Sequence, residues 1–347
     1  MSLLSTRLAA LALLVSFASC QDITPPSVSS QFQTIQGTTM GTYYRIQFQT
    51  TDDDLNKNTF DQLFEKINQA VSTYDSTSLI RAFNRAPAGQ FTLTNYPDDL
   101  RDIFRENIAV SNKLYEVSHG AFDPTVMPLV NFWGFGFSER QSTVREIPDD
   151  LLAVTGWDKI DLAGDVEKKS GGTQLDFSGV AKGYAVDQAG LCLQKSRVTN
   201  YLIDIGGEMR ASGLNERGKP WTIGINRPAE SSAINEIEIK LNLANRSLAT
   251  SGNYRNFHVL DDGQKVSHTI NPKTGYPERT SLLSVTVVSS DCAWADGLAT
   301  AGMVMGLPAA LDFLEGLSDV EGFFIYADVQ GVFQYKMTSG FHHLLIN

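Results

Sequence analysis

The sequence predicts an α+β fold in which mixed or antiparallel sheets pack against helices. Short segments of alternating apolar and polar residues, typical of half-buried strands, are interspersed with segments whose apolar residues recur at helical spacing. These segments do not follow the regular strand–helix–strand order that builds a parallel sheet. No long Pro- or Ser-rich linker interrupts the chain after its N-terminal region, so we expect its parts to pack as one unit.

Residues 1–19 have the features of a secretory signal peptide. Arg7 precedes an apolar run from Leu8 to Ala18, which has the length of a signal-peptide core and is too short to span a bilayer. The sequence predicts that this segment directs the chain out of the cytoplasm.

The segment ends in Ala-Ser-Cys, which is similar to a bacterial lipobox, although Phe17 stands where such boxes usually carry Leu. We therefore expect Cys20 to be acylated, residues 20–32 to carry the lipid and form a tether, and residues 33–347 to form the folded domain. In the alternative, an ordinary secretory signal, Cys20 is incidental.

The charge of the chain excludes some partners. Lys and Arg number 28 and Asp and Glu number 39, so removal of a leader that contains Arg7 leaves a net charge of −12. Such a chain lacks the basic surface that nucleic acid requires, and we expect no nucleic acid partner. Attachment to a bacterial membrane would depend on lipid at Cys20, with the protein facing the periplasm. Cys192 and Cys292 lack a metal-type spacing and are expected to be small buried side chains.

In the first half of the chain, one strand and two helices are predicted. Residues 43–49 alternate as in a half-buried strand, with one apolar face formed by Tyr44, Ile46 and Phe48. Apolar residues at helical spacing over 60–71 predict an amphipathic helix, and a second helix is predicted over 98–117.

The second half is predicted to contain more strands. Residues 176–193 are interpreted as a strand end, a glycine loop and a helix. The remaining predictions are strands at 201–205, 237–243 and 284–289, a helix at 295–305, and a hairpin formed by 323–329 and 332–336.

Asp296 and Thr300 are a candidate metal site. They are four residues apart on a predicted helix, so their oxygens lie on one face. A carboxylate and a hydroxyl are hard oxygen ligands suited to Mg²⁺, which keeps its other positions for phosphate and water. Spacing alone favours the alternative, because an Asp near a helix start is more often a cap or a partner of the helix dipole.

The loop Asp176-Phe177-Ser178-Gly179-Val180-Ala181-Lys182-Gly183 is a candidate anion site. Its glycines expose backbone groups at a helix entrance, where N–H donors and the dipole favour anions, and Lys182 could reach a phosphate. The segment has neither the Walker A order nor the three-glycine dinucleotide fingerprint. A capped surface helix is the equal alternative.

His268 is a candidate general base. A Pro and a Gly close a turn after it, in Ser267-His268-Thr269-Ile270-Asn271-Pro272-Lys273-Thr274-Gly275, which places it near a loop beside hydroxyl groups. Without further context a surface histidine is the more common case.

Several further motifs occur in a definite order along the chain. They are Thr39-Met40-Gly41-Thr42, Ser72-Thr73-Tyr74 with Ser78 and Asn84, Ala121-Phe122-Asp123-Pro124-Thr125, Asp204-Ile205-Gly206-Gly207-Glu208 and Thr250-Ser251-Gly252. Together with Pro128-Leu129 and the segments 176–187, 268–275 and 295–300, they resemble the blocks of the ApbE family, the FAD:protein FMN transferases. The resemblance extends from about residue 36 to residue 306.

The resemblance implies a two-part α+β structure with flavin held in a cleft between the parts. Residues matching the family's flavin or nucleotide contacts are Met40, Tyr74, Ala121, Phe122, Asp123, Asp176, Lys182 and Ile270. The Gly179 carbonyl, Asp296 and Thr300 match its metal site. Asn271 stands where many members have Asp, and Gly297 where Ala is frequent.

The resemblance also implies a reaction, in which FAD and a protein Thr or Ser hydroxyl give phosphodiester-linked FMN-protein and AMP. Mg²⁺ would be held by the metal site, and His268, Asp296 and Lys182 would be the catalytic residues. The family's acceptors include subunits of sodium-pumping NADH:quinone oxidoreductases and Rnf-type electron-transfer complexes. The alternatives are an FAD pyrophosphatase that forms FMN and AMP, and a flavin-binding lipoprotein without turnover.

Overall fold

The structure is a computed structural model that describes residues 31–50, 55–136, 146–163, 165–228, 237–253, 257–259, 265–278 and 280–346. The predicted signal peptide and Cys20 lie outside the described residues, as does most of the predicted tether. None of the helices in these ranges is long and apolar enough to cross a membrane.

The described helices are α1 (Lys57–Val71), α2 (Leu79–Arg85), α3 (Asp98–Val117), α4 (Met127–Phe132), α5 (Asp149–Val154), α6 (Ala181–Lys195), α7 (Cys292–Met305) and α8 (Leu307–Glu315). Helix α1 is amphipathic, since its buried residues recur at intervals of three or four: Phe60, Phe64, Ile67, Ala70 and Val71. Helix α7 is buried on nearly every side. It is therefore the central helix of the fold.

The described strands are β1 (Gln31–Thr39), β2 (Thr42–Thr50), β3 (Gly89–Gln90), β4 (Ile160–Asp161), β5 (Glu167–Lys168), β6 (Tyr201–Ile205), β7 (Glu208–Ser212), β8 (Trp221–Asn226), β9 (Ile237–Leu243), β10 (Arg246–Gly252), β11 (Phe257–Val259), β12 (Lys265–Ser267), β13 (Leu282–Ser289), β14 (Glu321–Ala327) and β15 (Phe333–Met337). Eight of them form one sheet in the order β1-β2-β6-β7-β10-β13-β14-β15. Every neighbouring pair in this sheet is antiparallel.

The large sheet is covered on both faces. One face of the sheet packs in the larger apolar core, to which helices α1, α3, α6, α7 and α8 contribute. The other face of the sheet is covered by the β8–β9 pair and the short 3₁₀ helix Phe341–Leu344. Because side chains alternate along a strand, Phe324 enters the helical core and its neighbours Phe323 and Ile325 enter the second. A third apolar cluster surrounds Trp133 and includes Leu129, Ile147 and Ile270.

These elements confirm the predicted α+β class, with the large sheet antiparallel. The predicted helices at 60–71, 98–117 and 295–305 correspond to α1, α3 and α7, and the predicted strands and hairpin correspond to β2, β6, β9, β13 and the β14–β15 pair. The segment 176–193 was interpreted as a strand end, a glycine loop and a helix. Its helix is α6, which begins at Ala181, but no strand of the described residues ends at Asp176. One difference is at the N-terminus, where residues 31 and 32, assigned to the tether, begin β1. Cys292 is buried as expected, whereas Cys192 is only partly buried, and neither forms a disulfide.

Candidate active site

Two cavities meet at the start of α6. The first, called here the α7 cavity, has a volume of about 330 Å³ and is lined by Asp296 and Thr300 of α7 together with residues of β10 and the loops before α4 and after β12. The second, the α1 cavity, has a volume of about 660 Å³ and lies between the end of α1 and the β1–β2 turn. Ser178 and Lys182 line both. The two cavities therefore form one cleft with Lys182 at the junction.

All the site residues predicted from the sequence line this cleft. Met40, Tyr74 and Lys182 lie in the α1 cavity. The α7 cavity contains the rest, together with Lys182: Ala121, Phe122, Asp123, Asp176, Gly179, His268, Ile270, Asp296 and Thr300. Residues from six separate segments of the chain are thus brought to one place.

The turn between β1 and β2 shapes the α1 cavity. Thr39 pairs with Thr42, and the two residues between them have positive φ angles, 50° for Met40 and 74° for Gly41. This is the geometry of a two-residue hairpin turn whose twist matches the strands. A left-handed backbone at Met40 is unfavourable for a residue with a Cβ, and it fixes the direction of the side chain at the cavity. Tyr74, 71% exposed, lies at the same cavity.

Helices α6 and α7 are held together by reciprocal carboxylate caps. Asp187 of α6 accepts hydrogen bonds from the first backbone N–H groups of α7, those of Cys292 at 3.0 Å and Ala293 at 2.9 Å. Asp296 of α7 accepts one of 3.1 Å from the N–H of Gly183, in the first turn of α6. Each carboxylate satisfies N–H groups that have no partner within their own helix. The contact is close, since a Cβ added at Gly183 would lie 2.4 Å from the Cys292 carbonyl oxygen.

Lys182 lies between two buried carboxylates. Its Nζ is 2.9 Å from Oε1 of Glu208 and 3.8 Å from Oδ2 of Asp296. Burial alone would lower the pKa of Lys182, but Asp296 and Glu208 outweigh it and raise that pKa above its ordinary value, so the ammonium stays charged. Burial raises the pKa of Glu208 to about 7 and also raises that of Asp296, while Lys182 opposes both shifts. The junction of the cleft therefore carries a concentrated group of charges.

The oxygens around Thr300 fit a hard divalent cation. Thr300 Oγ1 is 3.3 Å from Ser251 Oγ, and a Cβ added at Gly179 would lie 3.0 Å from Thr300 Oγ1, so the Gly179 backbone is in close approach. Asp296 uses Oδ2 for Gly183 and Lys182, and its Oδ1 accepts no hydrogen bond from any described residue. Among the described residues, no group of three or more His, Cys, Asp or Glu is arranged to hold a metal ion. A cation here would rely on one carboxylate, a hydroxyl and a backbone carbonyl, the mixed oxygen set that suits Mg²⁺ with bound water.

His268, directly after β12, lines the α7 cavity. Its ring packs edge-on against Phe135, with the two centroids 6.3 Å apart. The next residues are fixed by backbone pairing, because Ile270 forms a bridge with Pro277 and Asn271 N–H donates to the Tyr276 carbonyl. His268 therefore lies at the cavity between β12 and a turn that is held by backbone pairing.

Two predicted contact residues organise the loops that carry them. Asp123 accepts hydrogen bonds from the N–H and hydroxyl of Thr125 and from the N–H of Trp157, so its carboxylate holds the segment that carries Phe122 in the cavity. Asp176 accepts from the N–H and hydroxyl of Ser178 and shapes the turn before Gly179. Burial raises the pKa of both carboxyl groups, and these hydrogen bonds oppose the shift.

Three further residues, Ser178, Glu208 and Ser251, line the α7 cavity, and no role is predicted for them from the sequence. Glu208 belongs to a motif that was noted, but only the fold brings its carboxylate against Lys182. The position of Glu208 directly after the Gly206-Gly207 turn is the only sequence feature that could have indicated a role for its carboxylate, because a tight turn restricts the position of the residue that follows it.

The comparisons with known proteins agree with this geometry. A family model described as the ApbE family matches residues 40–324. The chain belongs to the ApbE family. A Haemophilus influenzae relative described as FAD:protein FMN transferase is 34% identical over 328 residues, which cover 91% of each chain. A Vibrio cholerae relative with the same description is 36% identical over 78% of this chain and 81% of that protein.

A solved structure is also similar. The flavin transferase ApbE from Vibrio cholerae superposes with a TM-score of 0.78 at 31% identity, over 91% of this chain and 100% of that chain. The predictions of the ApbE family and of its α+β fold are thereby confirmed. The relatives share one description, and this confirms the prediction that the chain is an enzyme of the FAD:protein FMN transferase class.

Proposed function

We propose that this ApbE-family enzyme transfers FMN from FAD to a Thr or Ser hydroxyl of an acceptor protein, with Mg²⁺ as cofactor and AMP as the second product. The observation that carries the proposal is the position of Lys182 where the two cavities meet. A dinucleotide has two bulky halves joined by a diphosphate. In a cleft of this form each half occupies one cavity and the diphosphate lies at the junction.

The charges at the junction support a diphosphate there. The ammonium of Lys182 and the N-terminal end of α6, preceded by the loop at Gly179, offer a cation and backbone donors. Asp296, Thr300 and the Gly179 carbonyl would hold Mg²⁺, which when bound supplies positive charge to the phosphate oxygens and to the departing AMP. The two buried carboxylates beside Lys182 would otherwise repel an anion.

The transfer step is a substitution at phosphorus. The acceptor hydroxyl oxygen forms a bond to the FMN-side phosphorus, the bond from that phosphorus to the bridging oxygen breaks, and AMP leaves with the bridging oxygen. In our proposal His268 takes the proton of the attacking hydroxyl, because its imidazole is at the α7 cavity and can accept a proton near neutral pH. Lys182 stabilises the negative charge that develops on the departing phosphate.

The cellular setting is proposed from the sequence alone. We propose a protein outside the cytoplasm, anchored to a bacterial membrane through lipid at Cys20, with acceptors among subunits of sodium-pumping NADH:quinone oxidoreductases or Rnf-type complexes. Both proposals rest on the N-terminal sequence and on the family resemblance.

The test is incubation of the purified protein with FAD, Mg²⁺ and an acceptor domain, followed by intact mass measurement of the acceptor. We expect an adduct of one FMN, which is absent when EDTA is added or when the acceptor Thr is replaced by Val. Release of FMN and AMP without an adduct would identify a pyrophosphatase. Binding of FAD without release of AMP would identify a flavin-binding protein without turnover.

A further inference from the structure

Glu208 is held rigidly beside the candidate metal site. It is the first residue of β7 and pairs with Ile205 across the Gly206-Gly207 turn, in which both glycines have positive φ angles. The Asp204 carboxylate accepts a hydrogen bond of 2.9 Å from the Gly207 N–H and fixes the turn. Glu208 is 3% exposed, so its carboxylate lies inside the protein at the start of β7.

The two oxygens of Glu208 have different surroundings. Oε1 accepts the 2.9 Å hydrogen bond from Lys182, whereas Oε2 is buried and has no hydrogen-bond partner among the described residues. A buried oxygen without a hydrogen bond lowers the stability of the folded state, so a buried carboxylate of this kind calls for a functional explanation. The visible use is the contact with Lys182.

Lys182 has two carboxylates within reach and lies closer to one of them. Its ammonium is 2.9 Å from Glu208 but 3.8 Å from Asp296. A lysine head on a flexible stem would close the remaining gap if Glu208 were absent, because Asp296 would then be its nearest carboxylate. An ammonium in direct contact with Asp296 would compete with a divalent cation for that carboxylate.

We propose that Glu208 is a positioning residue, which holds the Lys182 ammonium away from Asp296 and thereby keeps Asp296 available to a divalent cation. This inference rests on the proposed function for the identity of the metal site. Glu208 acts on the cation site through Lys182 and does not bind the cation directly. Removal of Glu208 should therefore matter only while Lys182 is present.

The test is a double-mutant cycle on divalent cation binding, with Mn²⁺ as the probe and the free ion measured by electron paramagnetic resonance in the absence of FAD. We expect Glu208→Ala to weaken Mn²⁺ binding by about 10- to 100-fold, the usual effect of losing a group that orients a metal ligand. In a Lys182→Ala background we expect the same change to alter binding by no more than about twofold, since no competing ammonium remains.

Two variants serve as controls. Glu106→Ala removes an equal charge from the exposed side of α3, where Glu106 accepts a hydrogen bond from Tyr184, and should leave Mn²⁺ binding unchanged. Glu208→Gln keeps the shape and an oxygen acceptor but lacks the charge. It should weaken binding in the same direction, and it replaces Glu208→Ala if that variant does not fold.

Three results would overturn the inference. Unchanged Mn²⁺ binding in both Glu208 variants would remove any role toward the cation. Equal weakening in the presence and absence of Lys182 would make Glu208 a ligand or a simple source of charge. Failure of the unmodified protein to bind Mn²⁺ would remove the metal site itself. The proposed function is judged separately, by whether the unmodified protein forms an FMN adduct.

Discussion

The Asp296 carboxylate accepts a hydrogen bond of 3.1 Å from the backbone N–H of Gly183, and this contact joins the two helices that carry the junction of the cleft. Lys182 is the residue before Gly183 in α6. The same oxygen of Asp296, Oδ2, therefore accepts the hydrogen bond from α6 and faces the ammonium of Lys182. The other oxygen of Asp296 is left without a hydrogen bond from the described residues. This arrangement supports a metal ligand that is oriented before the cation binds.

Replacement of Asp296 by Asn should abolish FMN transfer while the protein stays folded. Asn keeps an oxygen that can accept the Gly183 hydrogen bond but removes the charge that a divalent cation requires. We expect a loss of at least about 10³-fold in transfer rate, together with loss of the dependence on Mg²⁺ concentration. The assay is FMN incorporation into an acceptor over a Mg²⁺ series. Asp291→Asn, at the exposed start of the same helix, is the control, and transfer by Asp296→Asn at a rate near normal would refute the metal assignment.

Replacement of His268 by Ala should separate binding from chemistry. In our proposal the imidazole accepts the proton of the attacking hydroxyl and does not hold FAD, so we expect FAD affinity to survive and transfer to fall by about 10²- to 10⁴-fold. Single-turnover transfer and FAD titration measure the two quantities. His343→Ala removes an exposed imidazole near the C-terminus and should change neither. If transfer were equally unaffected in His268→Ala, His268 would have no part in the reaction.

Replacement of Gly183 by Ala should push α6 and α7 apart. The new Cβ would lie 2.4 Å from the Cys292 carbonyl oxygen, which is backbone and cannot yield as a flexible side chain does. We expect a loss of about 1–3 kcal/mol in the free energy of unfolding and a weaker response to Mg²⁺, measured by urea denaturation and the transfer assay.

The matched control for this variant is Gly190→Ala on the same helix. A Cβ there would first meet the Arg210 side chain at 3.0 Å, which can move. If the two variants lost the same stability and the same Mg²⁺ response, the close contact at Gly183 would not be what positions Asp296.

Replacement of Lys168 by Met should destabilise the protein without a direct effect on the cleft. The buried ammonium donates to the carbonyl oxygens of Phe83, Asn84, Ala86 and Gly171, at 2.9–3.3 Å. Met leaves these four acceptors without that donor, and we expect a loss of about 3 kcal/mol in the free energy of unfolding by urea denaturation. A loss below about 0.5 kcal/mol, as at an ordinary surface position, would contradict this account of Lys168.

The sequence was sufficient for elements whose pattern is local, and less so where contacts are distant. The apolar spacing over 60–71 predicts α1 correctly, because a helix that packs one face against a core can be recognised from its own sequence. The sequence predicts that α7 starts at residue 295, whereas the helix begins at Cys292, because the Asp187 carboxylate of α6 accepts hydrogen bonds from its first N–H groups. Strand β1 was not predicted: it lies at the edge of the sheet and has mainly polar side chains.

The same distinction holds for the cleft. Asp296 and Thr300 could be proposed from their spacing on one helix, and the order of the motifs supplied the family. Glu208 could not be assigned a role, since its importance comes from Lys182, which lies 26 residues earlier and on a different element. A contact between side chains on two different elements depends on how the whole chain folds, and it cannot be predicted from the local sequence of either element.

We propose that an acceptor hydroxyl cleaves the diphosphate of FAD at the junction of the two cavities. AMP and FMN-modified acceptor should be measured together in one reaction of protein, FAD, Mg²⁺ and acceptor. We expect the two products to form in equal amounts and neither to form without Mg²⁺. Formation of AMP with free FMN and an unmodified acceptor would contradict it.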